Sequence, residues 1–459
     1  MNGSYKIRYT GYNEILLTHK KLIKMKNINF LLNLGCITTI SVSTAFGQIS
    51  TVDLEFRPRT EYRQGFRKPL ADSLDPALIT FQRTRLHADY KSKILNARLS
   101  LQDARIWGNY DNKTNFSKIE LYEGWFEYCI TPTVSIQMGR QPLKYDDQRL
   151  LAAPNWSNTG TAHDVLIVKY KSQLFQAHSG FAYNNSKDTL LNYLYTYTPK
   201  QNYKELGYIW LSKEIVKGAT LSTIGIYEGF QNKTKYTIIY PRFTFGGNLV
   251  FAHDSSAWGA TLTAYKQQGK DPNKSYKKGY ADVDAYLLAA KVSYAFTQKY
   301  KALIGFDVYS GSDTAQASRI GKTTTFSKMY GSAHSFSGNM EYFLTVPNQG
   351  LVDYYGGFLA QIHQKLTIDF TTHLFAFDKD FYYKHVKTTK NLGAEIDVVC
   401  NYTPSKEIGI QAGWSMYINS NATKKYFTIE GVNTLPQHWA YIMFTIKPQL
   451  YKNQHTELK

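Results

Sequence analysis

The stretch TVDLEFRPRTEYR, residues 51–63, alternates. Val52, Leu54, Phe56 and Tyr62 share one parity, and Asp53, Glu55, Arg57, Arg59, Glu61 and Arg63 share the other. A period of two is that of a β-strand, whose side chains point to opposite faces in turn. One face is apolar and the other is densely charged. A soluble sandwich places such a charged face in water. A membrane barrel places it in the lumen and turns the apolar face to lipid. What repeats along the rest of the chain decides between them.

The pattern recurs to the C-terminus in segments of roughly ten residues, with aromatics near their ends, as in outer-membrane barrels. Eighteen strands can be placed, the first near 50–64, then 79–91, 94–107, 119–130 and 133–140, with the last near 437–449. Links after even-numbered strands are short: KSK at 91–93, TPT at 131–133, KSQ at 171–173, TQK at 297–299 and TPSKE at 403–407. Links after odd-numbered strands are longer: 65–78, 108–118, 141–161, 312–350, 379–391 and 419–436. Two links break the alternation: 247–256 reads too long for its class and 230–234 too short. Gly356-Gly357 makes strand 14 the weakest. Short periplasmic turns alternating with long outer loops belong to a barrel, and a sandwich has no reason for them. The expected fold is all-β: a single transmembrane antiparallel barrel of about 18 strands.

Composition agrees. The 459 residues include 37 Tyr, 25 Phe and 7 Trp, residues that favour strands and membrane interfaces. After Gln48 no run of 18 or more apolar residues occurs, so helical membrane spans are excluded. A chain that stays in a membrane without them must close into a barrel. The net charge of +19 carries no nucleic-acid motif and alternates with apolar residues along the strands, so nucleic acid is not the expected partner.

The N-terminal region reads in two parts. Residues 25–47, MKNINFLLNLGCITTISVSTAFG, have a basic start at Lys26, an apolar middle and a small-x-small end at Ala45-Phe46-Gly47, as a signal peptide does. Residues 1–24 read as an upstream mis-start or a disordered segment, 48–451 as the barrel and 452–459 as a tail. Cys36 follows Gly35, but Asn33 spoils a lipobox, which leaves a lipoprotein as the alternative. By parity Cys129 faces inward and Cys400 outward, on strands 4 and 16, and no disulfide joins them.

Arginine is concentrated. Of 13 arginines, ten fall between Arg57 and Arg149. Arg57, Arg59 and Arg63 share the polar face of strand 1, and Arg83, Arg85, His87 and Asp89 share a face of strand 2. Strand 3 adds Arg98. Strand 4 sets Glu123 and Glu127 around Trp125, opposite Tyr122, Phe126 and Tyr128. If these strands pair in order, the inner wall carries an arginine field with interspersed carboxylates. Arginine stays charged and grips carboxylate or phosphate in a fork, so such a lumen favours anions. The alternative is structural: Arg–Glu ladders that brace the interior.

The segment after strand 5, GRQPLKYDDQRL at 139–150, packs opposed charges. Paired aspartates suit hard cations, but Lys144 and Arg149 compete with a metal, and none is expected. Asp146 and Asp147 read as holding Arg140 and Arg149, with Lys144 left to face the pore. Arg140 has the lipid-facing parity, so either the strand leaves the membrane there or a bulge turns it. His87, His163 and His373 are scattered, and no nucleophile elbow or H-E-x-x-H motif occurs. Neither catalysis nor a cofactor is expected.

With FRPRTEYRQGF (56–66), FQRTRLHADY (81–90), LSLQDARIWG (99–108), GRQPLKYDDQRL (139–150) and HWAYIMFTIKP (438–448), the sequence resembles the alginate-export family of outer-membrane barrels, in the form common in Bacteroidetes. The resemblance implies an 18-stranded barrel, an electropositive pore and passage of an anionic polysaccharide. It implies that Arg57, Arg59, Arg63, Arg83, Arg85 and Arg105 line the pore, with Arg140, Asp146, Asp147 and Arg149 at the constriction. Arg105 departs from the parity read above, so it calls for a bulge near Gln102-Asp103 or a place at the rim. The expectation is a monomeric outer-membrane channel, with membrane lipid and an anionic small molecule or polysaccharide as partners. A closed structural or adhesive barrel and a barrel enzyme acting on lipid stay open as alternatives.

Overall fold

The computed structural model describes residues 48–455 except 110–118, 196–202, 253–255, 277–278, 314–320, 333 and 435. Segments 1–24 and 25–47, with Cys36, lie outside the described residues, as do 456–459.

Eighteen antiparallel strands close on themselves: β1 Gln48–Gln64, β2 Ala77–Lys91, β3 Leu95–Ile106, β4 Glu120–Cys129, β5 Val134–Gln141, β6 His163–Lys171, β7 Gln176–Tyr183, β8 Glu205–Val216, β9 Ala219–Gln231, β10 Ile239–Ala252, β11 Trp258–Tyr276, β12 Gly279–Ala295, β13 Tyr300–Tyr309, β14 Leu351–His363, β15 Leu366–Ala376, β16 Asn391–Tyr402, β17 Ile408–Asn419 and β18 Gln437–Ile446. Each pairs with the next, and β1 closes the ring on β18. Pro448 cannot donate to a ladder, and β18 breaks there. It resumes as Gln449–His455, still paired with β1 at Gln48–Asp53, so the wall runs past residue 451. A two-residue strand, Lys322–Thr323, adds to the outer end of β12.

The parity read from residues 51–63 holds. Glu55, Arg57, Arg59 and Glu61 are buried on the inner side, and Tyr62 is exposed on the outer side. Leu78, Leu86, Leu99, Phe126, Met138, Ile209, Ile304 and Leu374 are exposed on the same outer face. This apolar exterior, on a ring without an edge strand, is the solution lipid imposes, because every backbone group must bond within the protein. The chain is a transmembrane β-barrel. Inward tyrosines lie over the glycine opposite them. A Cβ on Gly180, Gly305 or Gly413 would meet the rings of Tyr208, Tyr355 and Tyr441, their register partners.

The loops alternate except between β11 and β12. Strand β10 runs on to Ala252, which shortens the link after it, and starts only at Ile239, which lengthens the outer loop before it to 232–238. Strands β11 and β12 form a long hairpin, so their outer link is short. Gly356 and Gly357 sit in a regular ladder, opposite Ile304 and Leu303 of β13. Two outer segments, 142–162 after β5 and the described residues of 324–350 after β13, fold back into the barrel. Leu143, Leu150, Leu151, Tyr330, Met340 and Phe343 from these segments are buried with Trp439 and Tyr417 of the wall.

Candidate pore constriction

On the β1–β2 side, Arg57 lies opposite Arg83 and Glu55 opposite Arg85 in the ladder. Like charges in register repel, so each needs partners. Glu55 accepts from Arg83 Nε at 2.8 Å. Arg59 Nε donates to Glu61 at 2.7 Å. Many of the other partners come from the 142–162 segment. Arg57 Nη2 donates to the carbonyls of Trp156 (3.1 Å) and Ser157 (3.0 Å), and its Nη1 to that of Asn155. Arg83 donates to Ser157 O at 2.9 Å and Asn155 Oδ1 at 2.7 Å. Arg59 donates to Trp156 O at 2.8 Å and lies 3.9 Å over the Trp156 ring. Arg85 is forked on Gln102 Oε1 (2.8 and 2.7 Å), reaches Thr159 O at 3.3 Å and lies over Tyr122 at 3.7 Å. These four arginines are buried. They hold a loop where the sequence alone offers an open field.

The other expected lumen residues point inward and are paired with each other. Arg63 bridges Glu61 at 2.8 Å. Arg98 grips Asp89 at 2.6 and 3.0 Å and lies 3.7 Å from Glu123. Glu127 takes Lys169 at 3.1 Å and Asn96 at 3.1 Å. A bulge between Ser100 and Leu101 against β4 shifts the register there, which sends Tyr122 inward instead of outward.

Two expectations fail. Arg105 stays on the outer-facing parity beside Asp103 (2.7 Å), because β2 and β3 pair without a shift through that region. Arg140 is not at the constriction. It faces outward opposite Asp164 of β6, bonded at 3.0 Å, and donates to Leu121 O at 3.0 Å. No bulge intervenes, so β5 leaves the membrane there, and Asp164 does the work assigned to Asp146 or Asp147. Lys144 is exposed.

The expected contact between Asp147 and Arg149 is present. Asp147 accepts from its Nε at 2.8 Å. Its two terminal nitrogens fork onto Asp307 of β13, and Nη1 also reaches Tyr309 Oη at 2.9 Å. Asp147 ties on to Thr263 of β11 at 3.0 Å, and Asp146 accepts from Trp210 Nε1 of β8 at 2.8 Å. Burial pushes the Asp146 carboxyl up from its usual range. Asp146 and Gln148 have positive φ, 51° and 65°, which turn the chain tightly between these anchors.

The 324–350 segment completes the plug. Ala152 N donates to Tyr330 O at 3.2 Å, Tyr330 N to Leu150 O at 3.0 Å, and Ser332 N to Gln148 O at 2.9 Å. Trp156 and His334 stack at 4.0 Å. Tyr330 Oη donates to Glu228 at 2.7 Å, and Met340 N to Glu395 at 2.6 Å. Glu341 takes Arg67 at 2.7 Å and His334 at 3.1 Å. Burial alone would raise the Glu341 carboxyl, but His334 and Arg67 bring it down to about 2. Burial brings the Lys328 ammonium down to about 8. In the sequence this segment reads as a loop. Its length was the one available signal, since long unstructured loops in barrels are mostly functional.

Beside the plug lies a cavity of about 510 Å³, bounded by Asp146, Asp147 and Arg149 and by the inner faces of the far-wall strands. Among the described residues no group of three His, Cys, Asp or Glu could hold a metal ion. Cys129 and Cys400 are free.

The short-turn end of the barrel carries a feature the strand reading missed. Lys93, Lys217, Lys299, Lys365 and Lys406 stand in the turns and are exposed. Lys91, Lys171, Lys213, Lys301, Lys447 and Lys452 are exposed at the adjoining strand ends. Among the described residues of the same turns and ends, Glu214 and Glu407 are the exposed acids.

Residues 49–184 match the model of the alginate export family. No curated protein matches the chain. Among solved structures it is similar to three proteins of Pseudomonas aeruginosa. The outer membrane protein OprD is 11% identical, with a TM-score of 0.57, covering 89% of this chain and 96% of that one. The outer membrane protein opdK is 10% identical, with a TM-score of 0.59, covering 87% and 98%. OpdQ is 13% identical, with a TM-score of 0.56, covering 88% and 98%. The chain thus has the β-barrel fold of outer-membrane porins, and its residues 49–184 match the model of the alginate export family.

Proposed function

We propose that this barrel is a diffusion channel for anionic solutes, uronate-like oligosaccharides and polysaccharides among them, working as a single barrel in outer-membrane lipid. The observation that carries this reading is the lysine ring at the short-turn mouth, where ten exposed lysines face two exposed acids, Lys213 having the outward parity of Ile209 and Leu211. A mouth lined by one sign of charge raises the local concentration of the opposite ion and speeds its entry. The arginine wall acts behind it, by holding residues 155–159 across the lumen and so setting the width of the path. A solute meets exposed lysines at the entrance and a braced constriction inside.

A second reading is favoured by how firmly both in-folded segments are pinned. Arg149–Asp307 on one wall and Arg57, Arg59 and Arg83 on the other suit a closed structural barrel. Purified protein in a planar bilayer under a salt gradient separates the two. The expected result is a conducting pore whose reversal potential lies on the anion side. Cation preference sinks the anion reading, and absence of conductance favours the closed barrel.

A further inference from the structure

Two carboxyls meet behind the plug. Glu395 and Asp397 stand on the inner face of β16 and are 0% and 3% exposed. Their carboxyls lie within hydrogen-bonding reach of each other. Glu395 Oε1 accepts from Met340 N at 2.6 Å, which seats residues 338–340 of the in-folded 324–350 segment on this carboxyl. The seat is tight, since a Cβ on Gly338, whose φ is 81°, would strike the same group. Yet Glu395 Oε2 and Asp397 Oδ1 each lack a hydrogen-bond donor. Buried oxygens are rarely left so. The groups facing the pair are Asp353 of β14, His373 and Asp369 of β15, Tyr417 of β17, Tyr441 of β18 and Tyr342 of the segment. Among the described residues none gives a donor to either oxygen. Tyr417 Oη is committed to Leu392 O at 2.6 Å. His373 Nδ1 is held by Asp353 at 3.0 Å, and its Nε2 lies 3.7 Å from the other oxygen of Asp397.

Two ionised carboxylates here would both lose water, with one imidazole already shared between Asp353 and Asp397. A single proton removes the conflict. Glu395 is then neutral, its O–H donates to Asp397, and Asp397 keeps its charge beside His373. Paired carboxyls that cannot both ionise hold a proton in this way. We propose that Glu395 and Asp397 share one proton, that this proton seats residues 338–340 against the wall, and that its loss as pH rises releases them. An ionised Glu395 needs water, and water reaches it when Gly338 lifts away. The inference goes beyond the channel reading and holds for a conducting or a closed barrel.

The sign of the pH effect is distinctive. Once released, the pair titrates near the ordinary 4.5, so release gives up a proton and the seat weakens as pH rises above that value. Lys328 of the same segment works the other way. Its Nζ donates to Phe343 O at 2.7 Å, and burial brings it down to about 8, so above that pH its release takes up a proton and resists opening.

The test compares the mature barrel with Glu395→Gln in detergent. Gln keeps the acceptor for Met340 N and brings an N–H to Asp397, so it copies the protonated pair. At neutral pH the infrared spectrum should show the carbonyl band of a protonated carboxyl, and Glu395→Gln should lose it. Brief chymotrypsin treatment reads the seat through cleavage after Tyr342 and Phe343, both buried while it holds. Measured against Glu395→Gln at the same pH, cleavage of the unaltered barrel should quicken about tenfold for each pH unit from neutral pH up to about 8. Asp397→Asn, which brings its own N–H to Glu395, should also lose the band and covers a Glu395→Gln that does not fold. A spectrum with no protonated carboxyl, or one that neither substitution changes, overturns the shared proton. Cleavage that is flat with pH, that slows as pH rises, or that quickens as steeply in Glu395→Gln overturns the release.

Discussion

Arg149 and Asp307 stand 158 residues apart and meet in a two-pronged ion pair, Nη1–Oδ2 at 2.6 Å and Nη2–Oδ1 at 2.8 Å. Both are buried. The pair ties the tip of the 142–162 segment to the far wall, while Arg57, Arg59 and Arg83 tie its other end to the near wall. Removing one partner of a buried pair leaves the other charge stranded, at a cost of about 3–5 kcal/mol. Asp307→Leu should therefore lower the unfolding midpoint and make the channel current noisier. Arg149→Met with Asp307→Leu should recover most of the stability but not the quiet current. Denaturant unfolding and single-channel recording on the three proteins check this.

The near-wall arginines make a second prediction. Changing Arg57, Arg59, Arg83 and Arg85 together to Gln should leave anion preference in place and widen the pore, because their donors are engaged with loop carbonyls and fixed side chains. The expected readout is a larger unitary conductance at an unchanged reversal potential. A reversal potential that moves to the cation side would return these residues to the solute path.

The lysine mouth makes the complementary one. Lys93, Lys217, Lys299, Lys365 and Lys406 changed to Gln should shift the reversal potential toward cations without changing the open pore's width. The difference from the unaltered protein should shrink as salt rises from about 0.1 M to 1 M, where the screening length falls from ~10 Å to ~3 Å.

Acid should loosen the plug through Glu341. Its carboxyl is held at about 2, below the ordinary 4.5. A depressed acid stabilises the fold fully above its unfolded value, and the contribution is lost as pH falls from about 4.5 through 2. Current noise should rise across that window. Glu341→Gln should give the same noise at neutral pH and remove its pH dependence below 4.5. A noise profile unchanged by this substitution would mean that the Arg67–Glu341–His334 contact does not hold the segment.

Much of this was legible in residues 51–63 and their repeats. Parity told inward from outward on strand after strand, since a closed antiparallel ring in lipid allows only one arrangement of an alternating segment. Eighteen strands, the loop alternation and the Asp147–Arg149 contact follow from such local patterns. What parity cannot carry is register and return. A one-residue bulge opposite Ser100 turned Tyr122 inward, and the cross-strand neighbour Asp164 took Arg140. Nothing local to Arg57 or Arg83 reveals that their partners are carbonyls about 100 and 70 residues away. The lysine ring, too, is assembled from turns scattered along the whole chain. By itself the sequence determined which side of the wall each strand residue faces, because that depends on a two-residue period. Only the tertiary structure decided whether an inward charge meets solute or loop, because that depends on how two long segments fold back into the space the wall encloses.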